Sequence, residues 1–301
     1  MKKKIIFFGD NNSYITTELF KIFFENINDQ FELIAIVNTA SNNKSNKLKT
    51  YLIYLIKKLF NPFDKDIILD NSTTFLKLIP KNILLLQTEN INNLEFIDKI
   101  KILNPDYAFL MGFPQIFKKN IINCFDKIVN YHNSYLPTYR GLDATSWAMT
   151  YYEKYTGYTF HYINEKIDDG KIIFQEKIDI DYSKSSFENE LLKTKKASEN
   201  ISQVLTLVLN KFEGTEQIGK QSYYGEKQKI KLLSFIKLDN IKKVKRLIEI
   251  WGAVQLLSKN EIIFITKVAN DGKIKRIKWL PPKIYFILEI IKFLLSKMVK
   301  N

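Results

Sequence analysis

Lys4-Ile5-Ile6-Phe7-Phe8-Gly9-Asp10-Asn11-Asn12-Ser13-Tyr14-Ile15 is the stretch on which the reading of the fold turns. An apolar run ends at a glycine and a polar turn follows. Spacing through Ile15, Leu19, Ile22 and Phe23 then predicts a helix over residues 14–25. A run that is apolar at successive positions suits a strand buried on both faces. The rhythm repeats: residues 31–37, 83–87, 107–111 and 128–131 are strand-like, with helical stretches at 94–102 and 118–124 between them. Such alternation predicts an α/β fold with a Rossmann-like, doubly wound, mostly parallel sheet. Residues 41–80 interrupt it with a polar loop and a basic amphipathic helix at 48–60, read as an insertion near the sheet edge.

The second half changes character. Residues 158–163 and 171–180 are strand-like and flank a tight turn at Asp168-Asp169-Gly170. One long helix is expected over 186–212, closed by Gly214. We place a catalytic domain at residues 1–213 and a smaller α+β region at 214–301. That region holds a helix at 240–251, β-like runs at 261–268 and 274–279, and a terminal helix.

Composition narrows the function classes. The 301 residues include 46% hydrophobic ones, with 22 Phe and 16 Tyr, enough for a globular core. Cys124 is the single cysteine, which excludes an intramolecular disulfide. With no secretory signal and no apolar run of 18 residues or more, a cytoplasmic protein is expected. The net charge of +14 comes from 46 Lys and Arg against 32 Asp and Glu. The lysines are scattered and arginine is scarce, without the Arg–aromatic clusters of nucleic-acid surfaces, so the charge reads as compositional. There is no CxxC and no HExxH, so no metal is expected. The turn after the first strand is neither a P-loop nor GxGxxG, which sets aside a dinucleotide. Its backbone N–H groups at Gly9, Asn11, Asn12 and Ser13 precede a helix N-terminus and are the candidate substrate-phosphate site.

The chemistry concentrates around the two histidines, His132 and His161. Asn130 and His132 are two apart, so an extended segment puts them on one face. Pro137 and Gly141 then force a loop, and open α/β sheets bind ligands at such carboxyl ends. An imidazole can take a proton, and a carboxylate such as Asp168 can orient it and stabilise its charged form. An Asn amide can donate to a developing oxyanion. The three together suit acyl transfer to an amine carried by the substrate.

Asn130-Tyr131-His132-Asn133-Ser134-Tyr135-Leu136-Pro137-Thr138-Tyr139-Arg140-Gly141 resembles the signature of the folate-dependent formyltransferases. That family includes glycinamide ribonucleotide transformylase, methionyl-tRNA formyltransferase and the sugar-nucleotide N-formyltransferases. A second motif agrees: Gly157-Tyr158-Thr159-Phe160-His161, then Asp168-Asp169-Gly170-Lys171-Ile172-Ile173. The resemblance is clear over about residues 80–180. It implies a catalytic trio of Asn130, His132 and Asp168, with Asp169 the rival carboxylate. It implies N10-formyltetrahydrofolate as co-substrate, in a pocket formed by Phe113, Pro114, Gln115, Ile116, Phe117 and Ile167. Pro114 departs from the expected pattern and removes one backbone donor.

His161 and Trp147 look more like the sugar-nucleotide enzymes than the tRNA enzyme, so the acceptor implied is a nucleotide-linked amino sugar. Methionyl-tRNA is the runner-up, and a non-catalytic binding relative is the alternative from another class. The apolar stripe of 281–301 suits a helix packed on its own domain; a homodimer or membrane-surface contact is the rival reading.

Overall fold

The computed structural model describes residues 1–11, 13–27, 29–39, 75–233, 241–251, 254–258, 261–268 and 274–280. One compact unit ends at Tyr224 and a second begins at Gly225.

In the first unit, β1 (Lys3–Gly9), β2 (Phe31–Thr39), β3 (Leu84–Thr88), β4 (Tyr107–Met111) and β5 (Lys127–His132) are mutually parallel. After the two-residue strand β6 (Arg140–Gly141) come β7 (Tyr155–Tyr162) and β8 (Ile172–Asp179), antiparallel to their neighbours. The seven-stranded order is β3-β2-β1-β4-β5-β7-β8, a Rossmann-like, mostly parallel sheet as expected.

Its two faces follow from the side-chain alternation of β1. Ile5 and Phe7 join one core with Phe20, Phe23 and Phe109; Ile6 and Phe8 join another with Phe117, Phe125 and Ile128. Each fully buried Phe contributes roughly 1.5–3 kcal/mol, so these faces dominate the unit's stability. The helix α1 (Tyr14–Asn26) covers the first face; its N-cap Ser13 accepts from the Thr16 N–H at 3.3 Å. The second face carries α2 (Leu94–Leu103) and the short α3 (Lys119–Ile122). After α4 (Ala144–Thr150), the expected long helix is two: α5 (Ser186–Glu199) and α6 (Ile201–Leu209). Asn200 makes the break. Its side chain donates to the Tyr158 hydroxyl at 2.8 Å and the Lys196 carbonyl at 3.1 Å, a local competitor to the helical ladder.

Residues 214–224 stay with this unit. Thr215 bridges Ile172, and β9 (Tyr223–Tyr224) pairs in parallel with β6. The second unit holds α7 (Glu226–Leu233), α8 (Ile241–Trp251) and an antiparallel sheet of β10 (Val254–Ser258), β11 (Glu261–Val268) and β12 (Ile274–Leu280); Val244, Leu247 and Ile248 of α8 cluster with Val254 of β10. The helix expected at 48–60 and the terminal helix at 281–301 lie outside the described residues. Among the described residues no helix is long and apolar enough to cross a membrane.

Candidate active site

Register brings the chemistry together. β7 runs antiparallel to β5, which sets His161 directly opposite Asn130 and Thr159 opposite His132. The turn between β7 and β8 then returns Asp168 to the two imidazoles. Its Oδ2 lies 3.5 Å from His132 Nδ1 and its Oδ1 lies 3.6 Å from His161 Nε2. The Gly141 N–H donates to Oδ2 at 2.9 Å. So the trio expected from the sequence, Asn130, His132 and Asp168, shares one site, and His161 joins it.

Backbone carbonyls determine the tautomers, because a carbonyl only accepts. His132 Nε2 lies 3.0 Å from the Tyr139 carbonyl and must carry the proton there. That leaves Nδ1, on the Asp168 side, as the nitrogen able to gain one. His161 Nδ1 donates to the Tyr162 carbonyl at 2.8 Å, so in the neutral ring Nε2 accepts from Asn130 Nδ2 at 3.1 Å. This orients the Asn130 amide with its nitrogen toward His161.

Burial and charge oppose each other here. Burial pushes the His132 pKa below its ordinary value, and the Asp168 carboxylate pulls the other way without reversing it. For Asp168, burial favours the neutral acid, but His132, His161 and the Gly141 N–H together hold it well below the usual carboxylate range. Near neutrality His132 is uncharged and the Asp168 carboxylate beside it is ionised. Asp169 points elsewhere: its Oδ1 meets Arg140 Nη1 at 2.5 Å.

A cavity of about 360 Å³ adjoins the site. All six residues expected to hold the folate line it: Phe113, Pro114, Gln115, Ile116, Phe117 and Ile167. Their parts differ. Phe117 is core, packed edge-on to Phe8 at 5.2 Å. Gln115 ties the loop to the fold, accepting from the Ile91 N–H at 2.6 Å and donating to the Thr88 carbonyl at 3.3 Å. Ile116 and Ile167 are exposed apolar side chains on opposite loops.

The turn after β1 does not line this cavity. The Asp10 N–H donates to Thr16 Oγ1, the Asn11 N–H to Asn38 Oδ1 and the Ser13 N–H to the Asp10 carbonyl. These three N–H groups are thus satisfied within the fold, and Gly9 is buried against Thr16. Asn12 lies outside the described residues. One buried residue went unread in the sequence. Lys193 on α5 is fully buried and donates to the Asn133 carbonyl at 2.8 Å and to Thr156 Oγ1 at 3.2 Å. Burial pulls its pKa down to about 7, against the attraction of Glu190. It anchors the chain one residue beyond His132, and its position in a mixed helical pattern carries no signal of that.

The family model described as formyl transferase matches residues 28–205, more than half of the chain. Methionyl-tRNA formyltransferase of Clostridioides difficile is 38% identical over 105 residues, 34% of this chain and 34% of that protein. GDP-perosamine N-formyltransferase of Brucella melitensis is 28% identical over 138 residues, 46% of this chain and 53% of that protein. The chain thus spans about a third to a half of the length of these relatives. The fold is similar to a sugar N-formyltransferase from a Shewanella species, with a TM-score of 0.58 at 18% identity over 93% of this chain and 97% of that one. It is also similar to a sugar 3N-formyl transferase solved in the presence of dTDP and 5-N-formyl-THF, with a TM-score of 0.54 at 20% identity over 93% and 98%.

Proposed function

Because the chain belongs to the formyl transferase family, we propose that it moves a formyl group from N10-formyltetrahydrofolate to the amine of a nucleotide-linked sugar. One observation carries the proposal: the Asp168 carboxylate lies between His132 and His161 beside a cavity that residues 113–117 line. The folate, when bound, supplies the activated formyl carbon. The residues fit such a group. A pocket of this size accepts a small heterocycle, since ligand sites begin at about 300 Å³. Phe113, Ile116 and Ile167 offer apolar walls, and backbone groups of the loop can read a polar edge.

The chain's own groups divide the work. As an amine adds to the formyl carbon, the carbonyl oxygen gains negative charge. With one N–H on His161, the Asn130 amide can donate its other to that oxygen. The amine must also shed a proton. Neutral His132, with Nδ1 as acceptor, takes it, and the ionised Asp168 stabilises the resulting imidazolium. The same proton can then be returned to the departing folate nitrogen. No Ser or Cys nucleophile is needed, since the substrate's amine attacks.

The sugar acceptor is supported by His161 in the site and by Trp147 on α4, and by the likeness to GDP-perosamine N-formyltransferase. The identity with methionyl-tRNA formyltransferase keeps tRNA as the second reading. Incubation with N10-formyltetrahydrofolate, a panel of amino-sugar nucleotides and methionyl-tRNA tests both. Mass spectrometry should find a formylated sugar nucleotide. Formylation of methionyl-tRNA alone would replace the acceptor, and none at all would favour a non-catalytic relative.

A further inference from the structure

Beyond the trio stands a residue that no motif marks. Gln217 lies in the return segment 214–224, between Ile218 at 88% exposed and Glu216, also exposed, yet its own side chain is turned inward. Its Nε2 donates to the Asp168 carbonyl at 2.9 Å and to the Gly170 carbonyl at 2.8 Å. Its Oε1 accepts from Arg140 Nη2 at 2.6 Å. One amide therefore uses both of its N–H groups on the turn that carries the carboxylate and its oxygen on Arg140.

That turn needs holding. Asp168 sits at φ +50°, a left-handed backbone that a residue with a Cβ adopts at a cost of about 1 kcal/mol or more. Bonds to its own carbonyl and to the Gly170 carbonyl two residues on resist its relaxation. Arg140 closes the frame: Nη1 pairs with Asp169 at 2.5 Å, and the adjacent Gly141 N–H holds Asp168 Oδ2. The return segment is itself fixed on both sides, by Thr215 on Ile172 and by β9 on β6.

We propose that Gln217 is a positioning residue for the reaction: by clamping the carbonyls of Asp168 and Gly170 to Arg140, it sets where the carboxylate stands against His132. The inference rests on the reading of Asn130, His132 and Asp168 as the catalytic trio. It makes the segment 214–224 part of the active-site architecture.

The test uses a feature of this sequence: only two histidines, hence two imidazole signals by NMR in the full-length protein. His161→Gln assigns them. The charged and titratable groups acting on His132 are Asp168, His161 and Lys193, so a displaced Asp168 leaves burial less opposed. Gln217→Ala should move the His132 titration to lower pH. Gln217→Glu keeps the size and the Arg140 partner but sets oxygen against the two carbonyls. In the formyl-transfer assay, kcat should fall about ten- to a hundredfold, the scale of a 1 Å misplacement, while KM for the folate changes little. Equal His132 titrations in parent and Gln217→Ala would overturn the proposal, as would a Gln217→Glu enzyme with parental kcat. Absence of transfer by the parent would instead sink the functional reading, and the imidazole signals would still decide whether Gln217 positions Asp168.

Discussion

Two neighbouring carboxylates with opposite duties give the sharpest test at the scale of residues. Asp168 faces the imidazoles, and Asp169 faces Arg140. Asp168→Asn removes the charge that stabilises protonated His132, so kcat should drop about a hundredfold or more in a formyl-transfer assay. Asp169→Asn should cost less than tenfold, because it weakens a support and leaves the proton path intact; the reverse order would exchange the two roles. Acidity adds a second test. The folded chain resists protonating His132, whereas the unfolded chain takes up the proton near the ordinary value of 6.5. As pH falls below about 6.5 the unfolded state binds more protons, and stability from this group declines. Asp168 acts lower on the scale. Its folded pKa lies below the ordinary 3.8, so its contribution is present above that value and is lost as the pH drops toward the folded one. Thermal unfolding followed by calorimetry should show the parent losing Tm below pH 4 more steeply than Asp168→Asn. Asn130 and His132 could be read together because spacing of two on a strand is a local property, whereas Asp168 was joined to them by the family resemblance alone. His161 was visible only as a family marker. Its place against Asn130 depends on which strands pair and in what register, and that is decided by the whole sheet. In the turn expected to hold a phosphate, the Asp10 and Asn11 N–H groups are already accepted by Thr16 and Asn38, partners that lie outside the turn and that its sequence does not name.

Elements were legible where one pattern governed them. β1 and β4 are apolar at almost every position because both faces are covered, and the sequence alone locates them. The cap of α5 is equally local. Ser185 accepts from the Glu188 N–H at 3.2 Å, and Glu188 returns a bond to the Ser185 N–H at 2.8 Å, a complete capping box. Ser185→Ala should therefore lower stability by about 1 kcal/mol in denaturant unfolding, with kcat unchanged. A drop in kcat would mean that α5 positions the site through Lys193. The break at Asn200 was hidden, since Asn is tolerated within helices and its Tyr158 partner is distant in sequence. The pairing of β9 with β6 was hidden as well. Two residues have no periodicity, and the pairing depends on Gly141, where a Cβ would stand 2.2 Å from the Tyr224 carbonyl at φ +93°. Gly141→Ala should cost stability by roughly 2 kcal/mol or more and lower kcat as well, since the same glycine bonds Asp168. A variant with parental Tm and kcat would show that the return segment does not brace the site.

At the scale of the molecule, charge is the property that separates the two acceptors. A net +14 would draw any anion, but what matters is how many phosphates a complex neutralises. A sugar nucleotide carries a diphosphate, so few counterions leave when it binds. A tRNA presents a long phosphate backbone, and each contact adds to the slope of log K against log salt, about 0.7 to 0.9 per phosphate. Six such contacts between 50 and 200 mM salt would weaken binding by about a thousandfold. The amino-sugar nucleotide reading therefore predicts that kcat/KM for the acceptor falls less than about tenfold across that range, with KM for the folate nearly constant. The scattered lysines argue the same way, because a polyanion site needs its cations on one face. If kcat/KM for a sugar nucleotide is negligible while methionyl-tRNA is formylated with a steep salt slope, the acceptor is the tRNA, and the excess lysines form a functional surface rather than a compositional bias.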